Sequence, residues 1–328
     1  MEIIVIGGGI SGLTTAIELQ RKNHVVHIWA EKFSPATTSD VAAALWYPYL
    51  VQPEDKVAIW SQIAYEHFRA DTAFPERGVR WRKSAFEMTP HHLSEDDLPL
   101  WRFGVDGFRR ADAHEIPLGY QDGYAFDAPV IATSTYLPYL LGEFTAQGGQ
   151  IQQRTIQHFD EAFAHASVVV NCAGLGAREL VPDAEMHAVR GQVVRIRMRQ
   201  GARTMSADDG PQGLVYVIPR IDDIVLGGVN SAGDERQQID DSQTQSILER
   251  VQQFAPELGK IDTTDITGIA SGLRPARKSG VRVASEQRTS GQWLLHNYGH
   301  GGAGVTLSWG CAAAITEMVE NNIRTTNV

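Results

Sequence analysis

A glycine-rich segment near the end of the chain has the residue types and spacing of a ligand-binding turn. Gly299, Gly301, Gly302 and Gly304 lie directly before a long apolar stretch. Glycine loses more conformational freedom on folding than any other residue, so such a cluster indicates that backbone must approach another group closely. The pattern over 303–323 predicts a helix, whose N-terminus would present unpaired N–H groups and a partial positive charge. The turn is therefore suited to a group that carries negative charge.

A second glycine turn, with the sequence GGGISG, opens the chain and fits the G-x-G-x-x-G pattern. Gly7 permits the tight turn, Gly9 lets a pyrophosphate approach, and Gly12 allows close packing between helix and strand. The pattern is weak alone, but here it follows a predicted strand and opens a predicted helix, as nucleotide binding requires. Glu31 ends the next predicted strand, where its carboxylate would accept hydrogen bonds from a ribose, and Lys32 is typical of a solvated charge. A glycine turn without a ligand is the less favoured alternative.

Hydrophobic periodicity predicts the elements that position these turns. Continuous apolar runs predict strands over 2–6, 25–29, 168–174 and 293–297. Helical spacing of apolar residues predicts helices over 11–22, 134–147, 241–254 and 303–323. Antiparallel strands are predicted over 189–198, 214–219 and 224–229. The predicted fold class is mixed α/β and α+β, with a Rossmann-like nucleotide domain and a second, antiparallel β-rich substrate domain. We expect the nucleotide domain over 1–75, 130–185 and 280–328, and the substrate domain over 76–129 and 186–279.

Amino-acid composition and net charge argue against several classes of protein. The chain has 328 residues, 43% of them hydrophobic and 21% charged, with a formal net charge of −10. This charge argues against a nucleic-acid-binding surface and against an anionic membrane surface. Two cysteines, Cys172 and Cys311, lie in apolar runs and are expected to be free buried thiols, so neither a disulfide scaffold nor a metal site is predicted. No basic leader and no bilayer-length apolar stretch are visible, so the expected location is cytoplasmic.

Four segments of the chain resemble the D-amino-acid oxidase family. The most specific is LLHNYGHGGAG over 294–304, followed by Gly310 and Ala312. TTSDVAAALWYPY over 37–49, GLRP over 272–275 and YVIP over 216–219 resemble further family segments. The resemblance extends from the N-terminal to the C-terminal region of the chain and is weakest between residues 60 and 150. It implies an FAD cofactor rather than NAD, because a flavin ring explains the need for a second glycine turn.

The resemblance also implies a reaction and the residues that serve it. Members oxidise D-amino acids to imino acids, which hydrolyse to 2-oxo acids and ammonia, while oxygen becomes hydrogen peroxide. Arg274 is expected to bind the substrate carboxylate, since a guanidinium matches a carboxylate with two parallel hydrogen bonds. Tyr216 is expected to donate to the same carboxylate, and the Gly302 carbonyl to accept from the amino group. Hydride transfer to flavin N5 needs positioning more than acid–base groups.

The fingerprint and the matched family positions together define a set of expected flavin contacts. They are Gly7, Gly9, Ile10, Ser11, Gly12, Glu31, Lys32, Thr38, Ser39, Ala43, Ala44, Leu45, Ile156, Gly174, Gly301, Gly302, Ala303, Gly304, Val305 and Thr306. His296 and His300 are assigned to hydrogen bonding in the turn, because no partner carboxylate is identifiable. Asp40 is interpreted as a loop or cap residue before Val41 rather than as a catalyst.

Departures from the family pattern bear on the substrate. Gln212 stands where vertebrate members carry a lid tyrosine, which favours an open entrance. Two interpretations of the aromatic residues Trp46, Tyr47 and Tyr49 are equally favoured: packing in the core, or forming an apolar wall of the substrate site. Asn230 stands where members that oxidise D-aspartate carry an arginine, and the pair at 208–209 is acidic. Neutral D-amino acids are therefore the favoured substrates.

Other functions stay open at this stage. D-aspartate oxidase and a glycine or sarcosine-type flavin amine oxidase are alternatives within flavin chemistry. A flavin-binding protein without oxidase activity and an NAD-binding dehydrogenase are alternatives outside it. The expected partners are a small D-amino acid and oxygen, with no nucleic acid and no membrane, and a homo-oligomer is compatible with the sequence.

Overall fold

A computed structural model describes residues 1–289 and 291–326. The strands are β1 Glu2–Ile6, β2 Val25–Ala30, β3 Val79–Thr89, β4 Arg109–Arg110, β5 Asp122–Ile131, β6 Gln150–Gln153, β7 Val168–Asn171, β8 Met186–Arg197, β9 Met205–Ala207, β10 Val215–Pro219, β11 Asp223–Gly227, β12 Ser231–Ala232, β13 Ile266–Arg277, β14 Arg282–Thr289 and β15 Gln292–Tyr298. The helices are α1 Ile10–Arg21, α2 Glu54–Asp71, α3 Thr133–Ala146, α4 Asp160–Phe163, α5 Ala177–Leu180, α6 Asp241–Phe254 and α7 Gly304–Thr326. No helix of the described residues is long and apolar enough to cross a membrane.

A six-stranded sheet brings the head and the tail of the chain together. Its strand order is β14-β15-β7-β1-β2-β6, and only β14 runs antiparallel to its neighbour. Residues Ile3 to Ile6 of β1 are buried on both faces, as a continuous apolar run in a parallel sheet requires. Because β1 and β15 both flank β7, the turns that follow them leave the same edge of the sheet.

A nine-stranded sheet carries the rest of the strands. Its path is β12-β8-β11-β10-β9-β3-β5-β4, and β13 pairs with β8 outside that path. The pairs are antiparallel except that β3 runs parallel to β9. The β8–β13 ladder places Arg274 opposite Val189. The adjacent β10–β11 ladder places Tyr216 opposite Gly227.

The mixed fold class is confirmed, with a Rossmann-like sheet and a second, largely antiparallel one. Strand β1 and helix α6 have the bounds that the sequence predicts. The C-terminal helix begins at Gly304, because a short 3-10 turn over Gly301–Ala303 precedes it. Sequence reasoning missed α2 and both β13 and β14. The strands of the six-stranded sheet fall within the ranges expected for the nucleotide domain, and the domain boundaries themselves stay a prediction.

A buried hydrogen-bond network holds α7 against two other helices. Asp71 at the end of α2 is 2% exposed and accepts from the Tyr136 hydroxyl of α3 at 2.7 Å. The Trp309 indole N–H of α7 donates to the same hydroxyl at 2.9 Å. Gly310 lets α7 approach α2, because a Cβ there would lie 2.1 Å from the Trp60 carbonyl oxygen. The helix that follows the second glycine turn is therefore fixed by both packing and polar contacts.

Removing the Tyr136 hydroxyl tests this network. Tyr136→Phe leaves a buried carboxylate and a buried indole N–H each without one partner, and should lower the free energy of unfolding by about 1–3 kcal/mol. Urea unfolding followed by circular dichroism measures it. Tyr139→Phe is the control, because its hydroxyl donates to Glu143 within the same helix at a partly exposed position; a change below about 0.5 kcal/mol is expected there. Equal losses in both variants would contradict the network's role.

Candidate active site

One large cavity, called here the central cavity, lies where the two sheets meet. Its volume is about 890 Å³, within the range of small-molecule and cofactor sites. The lining comes from the turn after β1, the segment 35–49, the ends of β2 and β7, strands β10 and β13, and the turn before α7. Both glycine turns predicted from the sequence therefore open into the same space.

Helix α1 presents a free N-terminus to the central cavity. Its N-cap, Gly9, has no side chain to cap the helix, and the first turn contains no acid. The Ile10 N–H donates to the Ser39 hydroxyl at 3.1 Å. Gly7 has φ +124°, and a Cβ there would lie 2.2 Å from the Cys172 carbonyl oxygen. The turn thus exposes backbone N–H groups and the positive end of the helix dipole, the donor set that binds a phosphate.

Most of the predicted flavin contacts line the central cavity. They are Gly7, Gly9, Ile10, Ser11, Glu31, Lys32, Thr38, Ser39, Ala43, Ala44, Leu45, Ile156, Gly174, Gly301, Gly302, Gly304, Val305 and Thr306. Gly12 lies behind the turn, where a Cβ would be 1.9 Å from the Gly7 carbonyl oxygen. Ala303 is fully buried in an apolar cluster with Val57 and Trp60. These two positions serve packing of the glycine turns rather than the cavity wall.

Glu31 and Lys32 lie at the end of the central cavity nearest β2. The Lys32 ammonium is 3.3 Å from a Glu31 carboxylate oxygen, and both side chains are more than half exposed. Arg154, which sequence reasoning missed, lines the cavity beside them and lies 4.4 Å from the centre of the Trp29 ring. No motif marks Arg154, because it follows a short strand, β6, whose four residues are exposed.

The two histidines of the C-terminal segment are buried and neutral. His300 lies 3.0 Å from the Asn297 side-chain oxygen, and burial lowers the pKa of His300 to about 4. The prediction of turn hydrogen bonding is confirmed for His300. It is wrong for His296, because the Nε2 of that ring lies 3.5 Å from a carboxylate oxygen of Glu286 on the neighbouring strand β14 rather than beside a group of the turn. Burial and the Arg282 guanidinium lower the pKa of His296 to about 4.

Arg274 and Tyr216 come together at the other end of the central cavity. The Arg274 Nη1 donates to the Val229 carbonyl at 2.9 Å, which fixes the guanidinium. Among the described residues, no carboxylate lies within ion-pair distance of Arg274, so its charge is available to a ligand. Burial raises the pKa of Tyr216, and the Arg274 guanidinium opposes that shift. Gly227 makes room for the Tyr216 ring, because a Cβ there would lie 2.0 Å from its Cζ.

Gly302 and Tyr49 complete this end of the central cavity. A Cβ at Gly302 would lie 2.7 Å from Tyr49 Cδ1 and 3.6 Å from Arg274 Cδ. Tyr47 lies beside Tyr49 in the wall. Trp46 is fully buried instead, and its indole N–H donates to the Ser61 carbonyl at 3.0 Å. The aromatic segment is therefore shared between core packing and the cavity wall.

The segment that bears these aromatics starts from a capped turn. Asp40 accepts from the Thr37 backbone N–H at 2.9 Å and from the Thr37 hydroxyl at 2.6 Å. The Ser34 hydroxyl also donates to Asp40, at 2.5 Å. Both carboxylate oxygens are engaged, so the interpretation of Asp40 as a cap residue is confirmed.

Comparisons with known proteins agree with this geometry. The family described as FAD dependent oxidoreductase matches residues 2–318. The D-amino-acid oxidase of Rubrobacter xylanophilus is 39% identical over 309 residues, covering 94% of this chain and 93% of that protein. The D-amino-acid oxidase of Dictyostelium discoideum is 38% identical over 327 residues, covering 98% and 92%. The solved structure of glycine oxidase from Geobacillus kaustophilus has the same fold, with a TM-score of 0.77 at 17% identity over 97% of this chain and 94% of that one.

Gly7→Ala tests the first glycine turn. The new methyl group would meet the Cys172 carbonyl oxygen at 2.2 Å from a left-handed backbone conformation, so the turn must move. The purified variant should retain little bound flavin, measured as visible flavin absorbance relative to protein absorbance. Gly176→Ala is the control on the same cavity, because its nearest new contact, to Ala173, would be 3.7 Å. Flavin retention in both variants would contradict the assignment.

Proposed function

This chain belongs to the FAD-dependent oxidoreductase family, and on that premise we propose that it oxidises D-amino acids with neutral side chains to 2-oxo acids, ammonia and hydrogen peroxide. The observation that carries the proposal is the unpaired guanidinium of Arg274, held beside Tyr216 and Gly302 in the cavity that both glycine turns line. A fixed cation beside a hydroxyl donor matches the carboxylate of an amino acid.

The residues of the central cavity fit FAD. The uncapped start of α1 suits the pyrophosphate, the Glu31 carboxylate suits a ribose, and the turn at 301–304 suits the flavin ring. Gly302 keeps the space beside Tyr49 free of a side chain. Bound FAD supplies the acceptor for the hydride from the substrate α-carbon and passes the electrons to oxygen.

The chain's own contribution is to orient the substrate. Arg274 binds the carboxylate through the N–H groups that Val229 does not engage. Burial keeps the Tyr216 hydroxyl protonated, so it donates to the same carboxylate. The Gly302 carbonyl accepts from the amino group, which leaves the α-hydrogen as the group to be transferred. His300 is not needed as a base, because it is engaged with Asn297 and water can take the ammonium proton.

The charges of the central cavity favour a neutral over an acidic substrate. Among its described lining residues, the cations other than Arg274 are Lys32 and Arg154, which lie at the opposite end beside Glu31. Asn230 offers an amide rather than a cation and donates to the Tyr49 hydroxyl at 3.2 Å. An acidic side chain would therefore enter the cavity without a partner.

A panel of amino acids tests the proposed function. Peroxide release is measured with D-alanine, D-valine, L-alanine, glycine and D-aspartate. We expect turnover of D-alanine and D-valine and none of L-alanine. Turnover confined to glycine, or fastest with D-aspartate, would replace the proposal by the corresponding oxidase. No peroxide from any D-amino acid would overturn it.

Arg274→Ala tests the carboxylate site. Loss of a charge-assisted pair should raise KM for a neutral D-amino acid by about 10- to 100-fold, while bound flavin stays at the wild-type level. Steady-state kinetics and flavin absorbance measure the two quantities. Arg197→Ala, at an exposed position at the end of β8, is the matched control and should leave KM unchanged. An unchanged KM in Arg274→Ala would remove that residue from the site.

A further inference from the structure

We propose that Asp208 is a specificity-determining residue that raises the preference for a D-amino acid with a cationic side chain, such as D-lysine, over an uncharged one with the same carbon chain. The inference rests on the proposed oxidase function, because it assumes that Arg274 holds the substrate carboxylate. It assigns the discrimination between side chains to a second, opposite charge in the same cavity.

Asp208 and Arg274 line the same cavity. Asp208 follows strand β9 directly, in the loop that leads to β10, and is half-buried. Tyr49 lies between the two charges: its ring and the Arg274 side chain both lie next to Gly302. Burial raises the pKa of Tyr49, the Asp208 carboxylate adds to that shift, and the Arg274 guanidinium opposes it. A substrate anchored at Arg274 therefore has Tyr47, Tyr49 and Asp208 around its remaining substituents.

Asp208 has no cationic partner. Across the described parts of the chain, no lysine, arginine or histidine lies within ion-pair distance of its carboxylate. Its neighbour Asp209 differs, since that carboxylate is exposed and lies 3.8 Å from His91. An unpaired carboxylate that lines a cavity is costly unless a ligand supplies the opposite charge.

A second acid fixes the position of Asp208. Glu87 of β3 is 7% exposed and accepts a hydrogen bond from the Asp208 backbone N–H and another from the Ser206 hydroxyl. Burial and the Asp208 carboxylate raise the pKa of Glu87 well above its usual range. Among the described residues, Asp208 lines the central cavity and Glu87 does not, so of these two acids Asp208 is the one that a substrate meets.

The environment of Asp208 explains how both substrate classes fit. Burial and the neighbouring Asp209 raise the pKa of the Asp208 carboxyl to about 7. A neutral side chain can bind beside the protonated carboxyl, at a free-energy cost of protonation that grows as the pH rises above this pKa. An ammonium group stabilises the carboxylate and removes the penalty that burial imposes, so a cationic side chain gains a charge-assisted hydrogen bond.

The test compares D-lysine with D-norleucine, which has the same carbon chain without the amine. The holoenzyme is assayed at about pH 8.5, where the lysine side chain stays protonated. We expect wild type to show a kcat/KM for D-lysine at least equal to that for D-norleucine. Asp208→Asn should lower the ratio of the two values by roughly 10- to 100-fold.

Two further variants control the experiment. Asp209→Asn should keep the wild-type ratio, because that carboxylate faces His91 at the surface. Asp208→Glu retains the charge and should keep a higher ratio than Asp208→Asn. Flavin absorbance checks that each variant is loaded, and the wild-type ratio tests the proposal without any variant.

Two results would overturn the proposal. One is a wild type that oxidises D-norleucine and rejects D-lysine, which would leave the proposed function intact. The other is an unchanged ratio in a flavin-loaded Asp208→Asn. Failure to oxidise D-norleucine, D-alanine and D-lysine alike would instead overturn the proposed function, so the two failures are distinguishable.

Discussion

Close approach of the backbone at the junction between the head and the tail of the chain is the constraint on which the site depends. Gly7 lies against the end of β7, and Gly12 lies against Gly7 itself, at distances that leave no room for a Cβ. Side chains then join α1 to the C-terminal elements: Thr14 donates to the Ser308 carbonyl at 3.3 Å, and Asn297 donates to the Thr15 hydroxyl at 3.0 Å. Two turns that are separated by almost the whole sequence thereby line one cavity.

The electrostatics of the central cavity divide it into two ends. At the nucleotide end, the start of α1 carries no acid, and Lys32 and Arg154 lie beside Glu31. At the substrate end, Arg274 and Asp208 carry opposite charges among tyrosines whose burial raises their pKa values and keeps them neutral. An α-amino acid has groups that match these two charges: its carboxylate suits Arg274, and its side chain, which varies in charge, would lie near Asp208. In the proposed reaction, fixed charges orient the substrate, so no titrating histidine is required.

Local signals in the sequence predict the nucleotide end well, because strand, turn and helix are adjacent in the chain. Gly7 makes the tight turn that its spacing predicts, with φ +124°, and the approach of a pyrophosphate to Gly9 stays a prediction. The substrate end depends on pairings between distant strands, which periodicity does not specify. Strand β13 pairs with β8 and places Arg274 opposite Val189, and the guanidinium then donates to the Val229 carbonyl. Arg274 and Tyr216 are identified by family resemblance for this reason. Asp208 appears in the sequence only as part of an acidic pair, and the structure separates it from Asp209 by orienting one inward and the other towards His91.

In the proposed reaction, the chain orients the α-hydrogen of a D-amino acid towards a bound flavin. Anaerobic rapid mixing with D-valine, with its L-enantiomer and with α-deuterated D-valine tests it most directly, because oxygen is absent and only the first half of the reaction is observed. We expect D-valine to bleach the visible flavin band, deuterium at the α-carbon to slow the bleaching several-fold, and L-valine to leave the band unchanged. Bleaching by both enantiomers at equal rates, or no bleaching by either, would contradict it.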